Sequence, residues 1–259
     1  MIRRHTPSTR RLAVKSAQEQ EYMRRAGRIV ALALEKVGSA IRPGVTTREL
    51  DSLAEETIRS LGAVPAFLGF NGFPATACIS INEQVVHGIP GIRPVKAGNL
   101  VKVDLGAIVE GWYADAAWTF AVGEVSDSTK RLMECGEGAL TAGIEAARPG
   151  KRVRDIGDAV QKYVVARGFS VVRDLCGHGI GRHLHEEPKV PNYPDVGGHV
   201  ELFAGVALAI EPMVNAGQAA VKLQPDGWTF VTTDSRLSVH YEHTVLVQPH
   251  GAEIITCLH

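Results

Sequence analysis

The sequence predicts an α+β fold built from two similar halves, about 16–125 and 126–259, and three observations carry that prediction. Landmarks of the first half recur in order in the second, at an offset of 106 residues. Each half joins two helix-patterned stretches to apolar, strand-like sequence. In each half those strands carry acids where a hydrophobic sheet should have none.

The leader MIRRHTPSTRRLAVK holds Arg3, Arg4, Arg10, Arg11 and Lys15 and no acid before Glu19. Over 1–15 it reads as a flexible basic tail, a short transit peptide or a ribosome-contacting arm. A helical stretch follows at roughly 18–40, and its counterpart lies at 127–147. Arg42-Pro43-Gly44 recurs as Arg148-Pro149-Gly150, each time before a second helical pattern. In those patterns Arg48 matches Arg154, Glu49 matches Asp155, Leu50 matches Ile156 and Ile58 matches Val164. Both end on a glycine, Gly62 and Gly168.

Two strands, 100–109 and 113–122, are joined at Glu110-Gly111. That loop places Asp104 opposite Ala117, with Asp115 two residues along, so both carboxylates face the same side as diagonal neighbours. At an offset of 107, Ala97-Gly98 recurs as Ala204-Gly205, and six residues beyond each glycine comes an acid, Asp104 or Glu211. A later strand, 239–247, carries Glu242, which stands as the analogue of Asp115. The four acids should converge on a pseudo-two-fold axis.

Four carboxylates within ~4 Å of one another repel by about 4 kcal/mol per pair at an effective dielectric near 20. Lys102 shares the parity of Asp104 and can approach, yet one ammonium does not neutralise four acids. Two divalent cations do, and paired metals are a catalytic unit. The stretch LCGHGIGRHLHEEP supplies further ligands: His178, collared by Gly177, Gly179 and Gly181, and His185. Those glycines should let the backbone approach a ligand or substrate. His87, in EQVVHGIP, is a third candidate. An isolated histidine is usually an ordinary core or surface residue; the glycine collar singles out His178. One imidazole with four carboxylates suits Mn²⁺, Fe²⁺, Co²⁺ or Zn²⁺.

Competing chemistries lose support. HEEPK has lysine at 189 and is not HExxH, and no GxxxxGK[ST], GxSxG or GxGxxG occurs. A formal net charge of zero gives no footprint for nucleic acid or anionic membrane. No apolar run approaches ~20 residues, so no membrane span is expected. Cys78, Cys135, Cys176 and Cys257 form no CxxC pair, which favours buried thiols in a reducing compartment.

With these motifs in hand, the chain resembles the type I methionine aminopeptidases from about Val14 almost to its end. The likeness rests on SINEQVVHGIP, VDLGAIVEGWYADAAWTF, CGHGIGRHLHEEP, AIEPMVNAG and SVHYEHT. It implies the pita-bread (creatinase/aminopeptidase) fold, α+β, with a curved, mostly antiparallel central sheet covered by helices, as one catalytic domain over 16–259. It implies Asp104, Asp115, His178, Glu211 and Glu242 as ligands of two divalent ions, with Asp115 and Glu242 bridging. It implies removal of the first methionine from nascent polypeptides, favoured before a small second residue. Glu211 would be the general base, His185 would stabilise the oxyanion, and His87 would bind the scissile or adjacent amide and help protonate the leaving amine. The methionine pocket would fall on Phe67, Phe70, Phe73, Cys78, Leu184 and Trp228. Phe70 and Phe73 stand where the family often has tyrosine, Phe67 where a small thiol can occur, and Leu184 where an aromatic is usual, so side-chain preference is open.

A monomer in the cytoplasm is expected, or in an organelle if the leader is cleaved. Two rival readings share the fold: an X-Pro aminopeptidase or prolidase, and a metal-free binding protein.

Overall fold

The computed structural model describes residues 12–195 and 199–258, so Arg3, Arg4, Arg10 and Arg11 lie outside the described residues. Helix α1, Ala17–Ala40, starts at a capping box in which Ser16 and Glu19 satisfy each other's backbone N–H groups. Met23, Ala26, Val30, Ala33, Leu34 and Val37 form its buried stripe. Helix α2, Thr47–Ser60, starts at Thr46, whose N–H is held by Glu49 at 2.8 Å. Helix α3 spans Asp127–Ala146 and α4 spans Val153–Val165, where Asp155 holds the N–H of Arg152 at 2.8 Å. Glu49 and Asp155 are therefore the same device at matched places in the repeat.

The matching extends through the loops. Gly44 donates to the carbonyl of Val95 at 2.9 Å, and Gly150 to that of Leu202 at 3.0 Å. Gly98 donates to Val122 at 2.8 Å, and Gly205 to Val247 at 2.7 Å. Isolated bridges Thr46–Pro94 and Arg152–Glu201 complete the correspondence. One frame is built twice.

The main sheet runs in the order Val64–Pro65, Leu100–Val109, Trp112–Ala121, Glu242–Gln248, Ala207–Ile210, Cys176–Gly179, Glu186–Pro191, with antiparallel neighbours throughout. Its midline is the Trp112–Ala121 and Glu242–Gln248 pair, one strand from each half. Two large cores flank that line: α1 and α2 pack mainly with first-half strands, α3 and α4 with second-half strands.

The hairpin has the expected register, Asp104 opposite Ala117. Glu110 and Gly111 both take positive φ, 53° and 77°, in a two-residue turn whose twist suits the strands it joins. The second half departs from expectation. The strand expected over 239–247 breaks at Tyr241: Ser238–His240 pairs with Met213–Asn215, and Glu242–Gln248 joins the main sheet. The Tyr241 ring is buried edge-on to Trp118 and fills the space a side chain at Gly136 of α3 would take. Extending the His243–Ile210 ladder by one rung sets Glu242 beside Glu211, as Ala117 sits beside Asp104. In register, then, Glu242 is the counterpart of Ala117, and the counterpart of Asp115 is His240.

Lys15, expected to belong to a flexible tail, is instead only 5% exposed. Its ammonium pairs with Glu186 at 2.8 Å and its N–H donates to Gly205. Among the described residues no helix is long and apolar enough to cross a membrane, and Cys78, Cys135 and Cys176 are free thiols.

Candidate metal centre

Five elements bring the candidate ligands to one place. Asp104 and Asp115 come from the first-half hairpin, His178 from the strand Cys176–Gly179, Glu211 from just past Ala207–Ile210, and Glu242 from the head of its strand. Ligating atoms of Asp115, His178 and Glu242 all lie within 4.8 Å of one another. His178 Nε2 is 3.5 Å from Asp115 Oδ2 and 3.7 Å from Glu211 Oε1. Lys102 does not enter this cluster. Its ammonium is buried and donates to the carbonyls of Asn82 at 2.7 Å and Ser238 at 3.0 Å.

Burial raises the Asp104 carboxyl well above its ordinary range, and the nearby Asp115 adds to it. Burial likewise raises Glu242 and Glu211, each reinforced by neighbouring carboxylates. Asp115 is pushed up to about 6 by burial, held back by its hydrogen bond from Thr244. His178 is pushed down to about 4 by burial, against the pull of the Gly179 carbonyl. These are the marks of a site short of positive charge.

The side chains fit divalent ions. His178 Nδ1 lies 3.0 Å from the carbonyl of Gly179. A carbonyl only accepts, so Nδ1 carries the proton and Nε2 keeps its lone pair. That lone pair faces carboxylate oxygens, an arrangement that a shared cation turns from repulsion into coordination. Asp104 Oδ1 is buried with no hydrogen-bond partner, so its lone pairs are left for a cation.

One cavity of about 250 Å³ is lined by Asp104, Asp115, His178, Glu211, Glu242, His87 and His185, and equally by Phe67, Phe70, Phe73, Cys78, Leu184 and Trp228. The five candidate ligands, His87, His185 and the six candidate pocket residues thus border the same space. The apolar side is stiffened by edge contacts, Phe73 with Trp228 at 5.1 Å and Phe70 with His185 at 5.2 Å. The His185 ring stands 4.4 Å from that of His178. His87 takes φ 59°, a strained backbone for a residue with a side chain. Burial pushes its imidazole down to about 4, so it stands neutral, able both to donate and to accept. A second cavity shares His87, His178, His185 and Glu211 and continues past Cys176, Asp174, Lys189 and Met213.

The glycine collar also has a packing role. A side chain at Gly177 would strike the Ala209 carbonyl, and one at Gly179 the Glu187 carbonyl. Gly177 and Gly179 therefore let neighbouring strands close in on His178, and Gly177 also borders the second cavity. Sequence reasoning also missed three residues. Thr244 Oγ1 donates to Asp115 and accepts the N–H of that residue at 3.0 Å. Asn71 joins the cavity wall from a left-handed turn. His240 is 1% exposed and sets Nε2 3.5 Å from Glu211 Oε2, with neither ring nitrogen hydrogen-bonded. The register of the repeat puts His240 at the place of Asp115, but that register shows only in the folded sheet.

Residues 21–249 match the model of metallopeptidase family M24. The methionine aminopeptidase of Clostridium perfringens is 48% identical over 247 residues, 95% of this chain and 99% of that protein. Methionine aminopeptidase 1 of Bacillus subtilis is 46% identical over 242 residues, 93% of this chain and 98% of that protein. Among solved structures, a methionine aminopeptidase from Thermotoga maritima superposes with a TM-score of 0.94 at 42% identity, covering 96% of this chain and 100% of that one. A prolidase from Pyrococcus furiosus shares the fold, with a TM-score of 0.78 at 24% identity over 95% of this chain and 66% of that one. The chain belongs to metallopeptidase family M24 and, within it, to the type I methionine aminopeptidases.

Proposed function

We propose that the chain hydrolyses the first peptide bond of polypeptides that begin with methionine, preferring a small second residue. The observation that carries this reading is one cavity in which a carboxylate–imidazole cluster meets an apolar wall. Asp104, Asp115, His178, Glu211 and Glu242 would hold two divalent ions. When bound, the ions supply Lewis-acid polarisation of the scissile carbonyl and activation of the attacking water.

The side chains do the rest. Phe67, Phe73, Leu184 and Trp228 take the methionine side chain, an unbranched thioether suited to an adaptable apolar lining. Glu211 accepts the proton of the attacking water and returns it to the leaving amine. His185 donates to the oxygen on which charge develops. His87 hydrogen-bonds the scissile or adjacent amide from its fixed backbone and helps protonate the leaving amine. The remaining chain leaves past Cys176 and Met213, through the second cavity. A small second residue suits the junction of the two cavities, where His87, His178, His185 and Glu211 crowd together. Action on nascent chains fits the cytoplasm, where the thiols of Cys78, Cys135 and Cys176 stay reduced. Contact with the ribosome would fall to the basic residues at 3–11. Salt-dependent co-sedimentation, with and without residues 1–11, tests that contact.

The deciding experiment is steady-state cleavage of Met-Ala-Ser against an Ala-Pro peptide with Mn²⁺ or Co²⁺ added. Faster release from the Ala-Pro peptide overturns the methionine reading. Absence of turnover, with no bound metal to lose on chelation, points to a binding protein instead. Metal content after anaerobic purification gives the number and identity of the ions.

A further inference from the structure

One ion pair outside the metal centre joins the start of the described chain to the loop that carries His185. Lys15 Nζ lies 2.8 Å from Glu186 Oε2, with the two side chains 4% and 15% exposed. The other oxygen of Glu186 accepts the backbone N–H of Arg182 at 2.7 Å and of His183 at 3.1 Å. A single carboxylate thus closes the loop on itself and fastens it to Lys15. Lys15 is itself anchored. Its N–H donates to Gly205 at 2.8 Å, its carbonyl accepts from Gln20 Nε2 at 2.8 Å, and its ammonium also donates to the carbonyl of Ala13 at 3.1 Å. A Cβ at Gly181 would stand 2.6 Å from Lys15 Cε and 2.8 Å from Glu186 Oε1, so the glycine makes room for the pair beneath the loop.

The far side of the loop rests on the tip of the hairpin that carries Asp104 and Asp115. The Arg182 guanidinium lies 4.3 Å from the centre of the Trp112 ring and donates to the Glu110 carbonyl at 3.4 Å. The Tyr113 N–H donates to the Gly181 carbonyl at 2.9 Å. Between these fastenings Leu184 and His185 line the cavity. A nearly buried ion pair adds little net stability over apolar packing, but its directional bonds select one arrangement.

We propose that Lys15 and Glu186 are positioning residues that set His185 and Leu184 over the metal centre, so that the segment leading into α1 governs turnover. The proposal rests on the role given to His185 above.

The test compares Lys15→Met and Glu186→Gln with the parent enzyme. The readouts are metal content, kcat and KM on Met-Ala-Ser, and hydrogen exchange of peptides covering 180–186. With metal content unchanged, kcat should fall on the order of 10- to 100-fold, the effect of a small misplacement of a catalytic group. KM should move less than about threefold, and exchange in 180–186 should rise. Lys15→Arg should recover most of the lost turnover. Arg24→Met breaks a more exposed pair that also anchors α1, Arg24–Glu253 at 2.6 Å to the strand Gly251–Ile254, and should lower the melting temperature without changing kcat or that exchange. If Lys15→Met does not fold, Glu186→Gln decides alone, because its amide oxygen can still accept from Arg182 and His183. Metal-loaded variants that turn over within about twofold of the parent would overturn the proposal, as would unchanged exchange. A parent that leaves methionyl peptides intact overturns the reaction reading instead, and the exchange measurement still decides the clamp.

Discussion

Where the second half sets His178 across the ladder from Ala209, the first half sets Ser80 across from Lys102. Lys102 and Ala209 occupy the same place in the repeat, so Ser80 and His178 are counterparts. Ser80 Oγ accepts the N–H of Gly88 at 3.0 Å, a purely structural use. Lys102 spends its ammonium on two carbonyls and is pushed down to about 7 by burial. His178 instead turns Nδ1 to its own strand and presents Nε2 to the acids. The backbone bonds of the halves match, so the frame does not decide which half supplies the imidazole. Single side chains at matched rungs decide it, and the candidate ligands divide unequally: Asp104 and Asp115 from one half, His178, Glu211 and Glu242 from the other.

The sharpest attack on that asymmetry is at Glu211, whose counterpart is Asp104. Glu211→Gln should keep the fold and lower kcat on Met-Ala-Ser by roughly 10²- to 10⁴-fold, because an amide accepts no proton. Near-normal turnover would move the general base elsewhere, and the two halves would differ less than claimed. Next in size is the His178 and Ser80 pair. His178→Ala should weaken metal binding by more than about 100-fold, since even outer partners of ligands cost 10- to 100-fold. Ser80→Ala should leave metal affinity alone and cost about 1 kcal/mol through the lost bond from Gly88. Calorimetric metal titration of both variants reads the contrast; equal losses would erase it.

His87 and His185 offer a third comparison, one imidazole from each half on the same cavity. His87→Ala should lower kcat by roughly tenfold to a hundredfold while metal content stays at the parent value. Loss of metal from that variant would make His87 a ligand and overturn its assignment to the substrate amide.

The sequence carried those parts of the design that are local. Glu110-Gly111 dictates a two-residue turn, the turn dictates register, and a period of two puts Asp104 and Asp115 on one face. Helix boundaries follow from Ser16, Thr46 and Ser126 and from terminal glycines, all within a few residues of what they control. What stayed hidden depends on partners distant in sequence. Tyr241 breaks its strand to reach Trp118 and the gap at Gly136, and neither glycine nor proline marks the break. That break also hid the two-residue slip between Asp115 and Glu242. The parity of Lys102 gave its side of the strand but not the carbonyls of Asn82 and Ser238 that hold it. Lys15 looked like part of a solvated tail because Glu186 is 171 residues away.

The smallest effect tests the shared frame itself. Gly62 and Gly168 end the second helix of each half with φ of 78° and 79°. A Cβ added at either would meet nothing within 4 Å. Gly62→Ala and Gly168→Ala should therefore each cost about 1 kcal/mol, the strain of an L-residue in the left-handed region, with no steric term to separate them. Both variants should bind metal and turn over as the parent does, because each change ends at the surface of a helix terminus. Denaturant titration of the two side by side measures the difference. Since conformational strain alone is at stake, two clearly unequal losses would mean that the matching hydrogen bonds conceal unequal local stability, and that the halves had diverged in their frame as well as in their ligands.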